Sequence, residues 1–556
     1  MSFPTGALPL TFNRVMEGRP IAATSSRLLN IPVELLTIIV GYVALDKSDL
    51  ASLARVNSDC RQLARSCQFH TLVLDFSARA IQILPQLQKE AVQRLRSPQG
   101  LTLSPSLGAC VRTLRSDLSE YWPQVGALKV DDEKDETKLD QWRAAARLIA
   151  DYMNDLYMPT VLLVIPTLPH LESLALASCN LDDELLDCLT MCRLKDLKLE
   201  GSFMRTPKIR AGRKPWPLRT LDVNASWDFQ FSYKPLGGLD SSSFWQALLE
   251  MCCLTLRYLK LELRSMNHIP GLEHMKFPIS FNVGFPNLTV LSIDDSTLLD
   301  ATTLHTLLQS DLTFLKVNYE DPVSRQVLSE VDRIPTLKTL LLGGCNLPPT
   351  ASTHFIEINT QLVSFAAEAS QPDAFLRRLI YSLIGHDNLR TLSLKWTESE
   401  IPDESLDEVA LLPQVEVLHL SAGSSSGYPH DWFVDHDKLN SHLGQLANLR
   451  RLIITRDTYQ LPADEIDFGE PDRYYDHRGP KHGEKWTTHV TQMIEHASAY
   501  VQTFPKLEFI CVGQVLFTVQ VVAGTRKPVV TGTAWIGEGG YAVLRKEFGI
   551  DTWSFR

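Results

Sequence analysis

The chain has 556 residues, of which 44% are hydrophobic and 21% are charged, and its formal net charge is −11. The apolar fraction is that of a folded chain, whereas the acidic balance argues against a general nucleic-acid binder, which would present a basic surface. The ten cysteines lack the spacing of a disulfide framework, so we expect reduced thiols in the cytoplasm, the nucleus or both.

The N-terminal part of the chain predicts a tail followed by a small helical domain. Residues 1–26 lack periodicity, and we expect a flexible tail there. Residues 27–68 predict two or three short helices, the first of which starts at Pro32. Its apolar residues, at helical spacing, are Leu35, Leu36, Ile39 and Tyr42. We expect Ser48 or Asp49 to cap the next helix. The apolar stripe of that helix consists of Leu50, Leu53, Ala54 and Val56.

Residues 69–160 predict weaker structure, which we interpret as degenerate first repeats and a linker. A helix is expected over residues 80–95, and a strand is expected around Val111 and Leu114. The charged run at 131–136 predicts a solvated loop, with a docking site for a basic partner as the alternative.

From residue 161 to residue 515 the phrase L-x-x-L-x-L recurs. The last copy starts at Leu507. The copies from the first full one to the one before the last start at Leu171, Leu194, Leu218, Leu256, Leu288, Leu312, Leu337, Leu362, Leu389, Val415 and Leu449. Alternation puts the fourth and sixth residues on one face of a short strand. Intervening segments such as 182–189 have acidic residues first and then apolar residues at helical spacing, which predicts helices between the strands.

Seven of the ten intervals between these starts fall in the range of about 20 to 29 residues, and the array resembles leucine-rich repeats. Residues 176–185 and 342–347 resemble the cysteine-containing subtype, which implies that Cys179 and Cys345 pack inward rather than act as nucleophiles or metal ligands. We therefore expect an α/β fold, in which an N-terminal helical domain precedes a solenoid with a parallel sheet on its concave face and helices outside.

Two insertions are expected in the array, at 421–447 and at 455–503, and both are candidate binding loops. Residues 516–556 predict a C-terminal cap, because two β-rich segments flank a turn at 523–527 and would form a hairpin over the last repeat. The apolar run at 161–165 meets Pro166 too early for a membrane span, so no membrane contact is expected.

Catalytic chemistry finds little support in the sequence. His482, His489 and His496 recur every seven residues, but two helical turns separate such residues by roughly 10 Å, too far for one metal without other ligands. The chain has no G-x-x-x-x-G-K-[ST] loop, no G-x-S-x-G elbow and no C-x-x-C pair. We expect no catalytic residue, no metal, no cofactor and no enzymatic activity.

Residues 30–64 resemble an F-box, whose pattern runs L-P-x-E-[LI]-L, then D-L, then a valine before a Cys/Ser-rich turn and Arg. Two departures are Ile31 for leucine and Cys60 where tryptophan is frequent. Followed by leucine-rich repeats, this resembles fungal-type F-box domain-containing proteins. The resemblance implies docking to the Skp-type adaptor of an SCF-type cullin-RING ubiquitin ligase. The implied contacts come from Ile31, Pro32, Leu35, Leu36, Ile39, Leu50, Leu53 and Val56, some of which must face the domain's own core.

The repeats would then bind a protein substrate rather than nucleic acid. Strand alternation places a mixed polar set opposite the inward leucines, and aromatic and cationic groups often carry binding energy. The candidate substrate-binding residues are Lys198, Asp222, Tyr258, Lys260, Lys316 and His419. One alternative is a non-catalytic scaffold whose F-box-like helices only cap the solenoid. Another is an enzyme built on an inserted loop, for which residues 455–503 offer no converging acid, base or metal-binding groups.

Overall fold

A computed structural model shows two compact units, unit 1 (Met1–Phe285) and unit 2 (Pro286–Arg556). The residues that it describes are 11–19, 27–75, 77–97, 102, 105–116, 156–177, 183–200, 215–226, 242–264, 283–293, 299–319, 321–344, 347, 353–423, 432–455, 457–458, 483–513 and 515–533.

Unit 1 begins with four helices that pack around a small apolar core. They are α1 Phe12–Val15, α2 Val33–Val43, α3 Lys47–Val56 and α4 Ser58–Gln68. Pro32 precedes α2 at the position where a missing backbone N–H costs least. Asp46, rather than the expected Ser48 or Asp49, caps α3 by accepting a hydrogen bond of 2.6 Å from the Ser48 backbone N–H.

Part of the predicted flexible tail belongs to this core. Phe12 and Met16 are buried with Leu36, Val40 and Leu63 in one cluster. The prediction of a tail over residues 1–26 is therefore wrong for residues 11–19. Their apolar residues are too few to show a helical period, so contacts with segments distant in sequence, among them α2 and α4, hold them in place.

The rest of unit 1 is a parallel sheet with intervening helices. Its strands, hydrogen-bonded in chain order, are β1 Thr71–Leu74, β2 Thr113–Ser116, β3 Ser173–Ala177, β4 Asp196–Glu200, β5 Thr220–Ser226 and β6 Tyr258–Arg264. Its helices are α5 Ala78–Arg96, α6 Met158–Val164, α7 Asp183–Thr190 and α8 Ser242–Cys252. The helix predicted over 80–95 and the strand predicted near Leu114 are confirmed as α5 and β2.

Unit 2 repeats this pattern. Its parallel strands are β7 Val290–Ile293, β8 Phe314–Asn318, β9 Thr339–Gly343, β10 Ser364–Ala367, β11 Thr391–Lys395, β12 Val417–Ser421, β14 Arg451–Thr455 and β16 Phe509–Val512. A separate ribbon pairs β13 Trp432–Phe433 with β15 Asp457–Thr458. The helices are α9 Ala301–Leu308, α10 Pro322–Glu330, α11 His354–Ile358, α12 Asp373–Leu383, α13 Asp403–Ala410, α14 His436–Leu443 and α15 Gly483–Thr503.

The leucine phrase sets the register of both sheets. Every strand from β3 on that belongs to a predicted copy starts two residues after the first leucine of that copy, as β4 does after Leu194. Across unit 1, Leu174 lies opposite Leu197, which lies opposite Leu221. These side chains are almost fully buried, so stacked repeats share one apolar core. Each unit therefore resembles a leucine-rich-repeat solenoid.

The two predicted insertions are shorter than expected. Residues 436–443 form α14 and residues 483–503 form α15, and both helices stand in the place that a helix takes between successive strands of the array. The predicted hairpin is confirmed, because β17 Val515–Val522 and β18 Thr525–Thr533 pair antiparallel beside β16. Ala523 and Gly524 form its turn, both with positive φ. Arg526 on β18 donates a 3.1 Å hydrogen bond to the Phe504 carbonyl just beyond the end of α15.

Candidate interaction surfaces

Helix α2 is apolar on two opposite faces. One face, with Leu36 and Val40, packs into the helical core. The other exposes Leu35, Ile38, Ile39 and Tyr42, whose exposed fractions are 52%, 49%, 39% and 72%. Their spacing of three, four and seven residues aligns them along one side of the helix. We call these four residues the α2 stripe. Isolated exposed apolar residues are ordinary, but an aligned row of large ones marks an interaction surface.

Helix α3 also has apolar side chains that are not buried in the domain. None of its residues is buried: Leu50 and Leu53 are half-buried, and Val56 is exposed. Leu53 contacts the core cluster only at its edge. Leu45, between the two helices, is also exposed. A helix with no buried residue has little hydrophobic attachment of its own, so a partner on this side would supply contacts that the isolated domain lacks.

The structure divides the predicted adaptor contacts into two sets. Leu36 is a core residue. Pro32, Leu35, Ile39 and Val56 are exposed, while Ile31, Leu50 and Leu53 are half-buried. The predicted contacts omitted Ile38, Tyr42 and Leu45. Their signal was present in the sequence, because Ile38 and Tyr42 continue the three- and four-residue spacing that begins at Leu35.

Strand residues that alternate with the leucines form what we call the non-leucine face. In unit 1 three predicted substrate residues lie side by side there, since Lys198 pairs across strands with Asp222, and Asp222 pairs with Lys260. The Lys260 Nζ lies 4.0 Å from Asp222 Oδ1 and 3.5 Å from Glu262 Oε2. Lys198 pairs with Glu200, and Tyr258, two residues before Lys260 on β6, is half-buried. This face combines both charge signs with an aromatic ring.

In unit 2 part of the non-leucine face is buried. Leu341, Ala366, Val417, Ile453 and Cys511, which come from five of its strands, form an apolar cluster there. His419 is fully buried, with Nδ1 2.7 Å from Ser393 Oγ and Nε2 2.7 Å from Thr455 Oγ1. Lys316 Nζ lies 2.8 Å from the Glu368 carboxylate.

The prediction of His419 as an open substrate-binding position is therefore wrong. Lys316 is half-buried and paired with Glu368, and its role in substrate binding stays a prediction. Strand alternation identified their face correctly, but it does not determine whether that face is solvated. Both side chains are engaged inside the unit, where His419 joins three strands through its hydrogen bonds.

Most of the described cysteines are buried, and His489 is buried and hydrogen-bonded. Burial raises the pKa of the Cys110, Cys188, Cys192 and Cys252 thiols to about 12, which disfavours the reactive thiolate. His489 Nε2 donates to the Gly513 carbonyl at 2.6 Å. Across the residues that the structure describes, no three His, Cys, Asp or Glu side chains gather as a possible metal site. Cys179, Cys345, His482 and the charged run at 131–136 lie outside the described residues.

Comparison with known proteins adds little to these observations. No family model matches the chain, and no curated protein matches it. Among solved structures it is similar to one described as a crystal structure of a TLR13–ssRNA13 complex, with 14% identity and a TM-score of 0.28 over 55% of this chain. The chain spans 45% of the length of that structure. A likeness at this TM-score does not support a fold assignment, which is based instead on the strand register described above. Within the described ranges, no helix combines the length and hydropathy needed to cross a bilayer.

Proposed function

We propose that this chain is the substrate-receptor subunit of an SCF-type cullin-RING ubiquitin ligase. In this proposal the α2 stripe and α3 dock a Skp-type adaptor, as the F-box resemblance implies, and the repeats bind a protein substrate. The observation that carries the proposal is that α2 is apolar on two faces, only one of which serves its own domain. The chain is a binding subunit and performs no catalysis itself.

The size of the apolar surface suits a stable contact. Full burial of a large apolar side chain stabilises by about 1.5–3 kcal/mol. The α2 stripe with Leu45 and Val56 offers six such side chains that are at present roughly half exposed. Burying them supplies on the order of 5–9 kcal/mol, comparable to the association cost of about 4–15 kcal/mol. A row at helical spacing fits the groove of a helical partner, which is the docking mode that the proposal requires.

The non-leucine face of unit 1 is the surface best suited to bind a substrate. Its lysines lie close enough to carboxylates to form ion pairs. Lys198, Asp222 and Lys260 remain partly solvated, so a partner can exchange these pairs for its own charges. Tyr258 adds a large side chain of the kind that anchors protein interfaces. We therefore propose Lys198, Asp222, Tyr258 and Lys260 as the substrate contacts of unit 1, and no longer include His419.

Co-purification with a Skp-type adaptor tests the proposal. The double variant Leu35→Asp/Ile39→Asp places two charges in the α2 stripe and leaves the core face intact. Ile81→Asp is the matched control, because Ile81 is an equally exposed apolar residue on α5. We expect the native chain and Ile81→Asp to retain the adaptor and the double variant to lose at least about tenfold of it. Failure of the native chain to retain any adaptor would refute the proposal.

A non-catalytic scaffold is the second candidate. The observation that favours it is the direct packing of the helical domain on the first repeats: Gln62 Nε2 on α4 donates to the Ser106 carbonyl at 2.7 Å, and both residues are buried. Helices that only cap the array would need such contacts and no adaptor. In that case neither the native chain nor any stripe variant binds adaptor, and truncating the helical domain lowers only the stability of the repeats.

A further inference from the structure

The segment 11–19 contacts both the helical domain and the first repeats. On the helical side, Phe12 and Met16 are buried in the core cluster that includes Leu36. On the repeat side, Val15 is fully buried against Cys110, with Phe69 packed beside them. Nearby residues of one short segment thus pack against two parts of unit 1, the helical domain and the first repeats.

A buried ion-pair network strengthens the repeat side. Glu17 Oε1 lies 2.5 Å from Arg94 Nη1 on α5, and both side chains are almost inaccessible. Arg94 Nη2 donates to Ser106 Oγ at 2.6 Å. Arg19 Nη1 lies 3.3 Å from the second Glu17 oxygen, and Arg19 Nη2 donates to the Thr102 carbonyl at 2.7 Å. Removing the Glu17 charge would take a counter-charge away from the buried Arg94 guanidinium, which is far costlier than losing a surface pair.

The segment also makes a hydrogen bond to the loop before β3. A turn within the segment directs its charged side chains. His170 Nε2, in the loop before β3, donates to the Arg14 carbonyl at 2.8 Å. Glu17 and Gly18 both have positive φ, which turns the chain sharply after α1. A non-glycine residue in this conformation is strained and persists only where contacts enforce it. At Glu17 the ion pairs to Arg94 and Arg19 are those contacts.

We propose that residues 11–19 are a strap that fixes the helical domain on the first repeats and so sets the direction in which the α2 stripe faces. The apolar residues of the strap anchor it in the helical core, and its charged residues anchor it on α5 and on the segment before β2. This inference does not depend on the proposed function, because the strap would hold the α2 stripe in place for any partner.

The test separates attachment from folding. Deleting residues 1–19 would remove Phe12 and Met16 from the core and could unfold the domain, so the informative variant is Glu17→Gln/Arg19→Gln in the full chain. The matched control, Glu34→Gln/Arg55→Gln, removes the same charges from exposed positions on α2 and α3. Donor and acceptor fluorophores on noncanonical residues at the exposed positions 51 and 193 report the separation of helical domain and repeats by single-molecule energy transfer. Hydrogen exchange of both parts is followed by mass spectrometry.

The strap variant is expected to broaden the distance distribution between positions 51 and 193 and to raise amide exchange in residues 105–110 by about tenfold. Exchange within α2–α4 should stay unchanged, and the control should match the native chain in both measurements. A distance distribution as narrow as that of the native chain would overturn the proposal. So would faster exchange throughout α2–α4, because Glu17 would then stabilise the helical fold rather than its attachment.

Discussion

Leu35 and Leu36 are neighbours in sequence but lie on different faces of α2, the first 52% exposed and the second 1% exposed. The difference predicts separable effects of mutation. Leu36→Ala should destabilise the helical domain by about 2–5 kcal/mol, because it opens a cavity in the core. Leu35→Ala should change stability by no more than about 0.5 kcal/mol.

Chemical denaturation of the two variants, followed by circular dichroism, measures these changes. Leu35→Ala should weaken any adaptor complex while its unfolding midpoint stays that of the native chain. A large loss of stability from Leu35→Ala would show that the α2 stripe packs within the protein.

Gly513, just after β16, should tolerate no side chain. Its φ is +54°, and an added Cβ would lie 2.2 Å from Met493 Sδ and 2.8 Å from His489 Cε1. Gly513→Ala should therefore cost more than about 2 kcal/mol, combining backbone strain with steric overlap. Gly385→Ala is the matched control, because Gly385 has a φ of +96° and open space around its Cα, which leaves only backbone strain of about 1–2 kcal/mol. Thermal unfolding compares the two, and equal losses would contradict the predicted overlap.

The contact between α14 and α15 should be sensitive to acid. His436 stacks on His496 with ring centroids 3.9 Å apart, and its Nδ1 lies 3.0 Å from the Tyr500 hydroxyl. Burial, and then the charge of His496, lower the pKa of His436 from 6.5 to about 3. Burial also lowers the pKa of His496, against the opposing charges of Asp437 and Glu495.

Because the folded pKa of His436 lies below the unfolded value, the unfolded chain binds more protons between about pH 6.5 and pH 3. The contribution of neutral His436 to the free energy of unfolding is therefore fully present above pH 6.5. It is lost as the pH falls, by about 1.4 kcal/mol per pH unit for this one proton. The test is chemical denaturation of the native chain and of His436→Gln between pH 4 and pH 8, roughly the accessible range of the titration. The free energy of unfolding should fall less steeply with decreasing pH in the variant than in the native chain. Equal slopes would show that His436 does not control this transition.

The described cysteines should differ in reactivity. Burial raises the pKa of Cys188 and Cys252 to about 12, whereas Cys67 is half-buried and its pKa is raised less clearly, again by burial. Among the described cysteines, iodoacetamide at mildly alkaline pH should therefore modify Cys67 first in the native chain, and Cys188 and Cys252 only after denaturation. Peptide mass spectrometry gives the order. Rapid modification of Cys188 would contradict its burial among α6 and α7.

The strand positions could be predicted well because the signal is local. A leucine two residues before each strand, and leucines alternating along it, leave one register in which all of them are buried. Leu315, Leu340 and Leu392 occupy such positions in unit 2. The hairpin at 515–533 was predictable for the same reason, since β-rich segments on either side of a turn pair with each other.

Other features had no local signal. The cap of α3 at Asp46 depends on where the chain bends after α2, so the neighbouring Ser48 and Asp49 were equally good candidates in sequence. Residues 436–443 and 483–503 looked like insertions because the intervals between leucine phrases are long there, although both contain a repeat helix. The strap has only three apolar residues, and its role depends on Arg94, which lies 77 positions after Glu17 in sequence.

The sequence by itself determined which side chains share a face: the leucines of each repeat, the α2 stripe opposite Leu36, and the polar row of Lys198, Asp222 and Lys260. Periodicity is a property of neighbouring residues, so it survives without knowledge of the fold. Only the tertiary structure decided which of those faces meets solvent. Leu35 is exposed and His419 is buried because exposure depends on segments distant in sequence that pack, or do not pack, against a face.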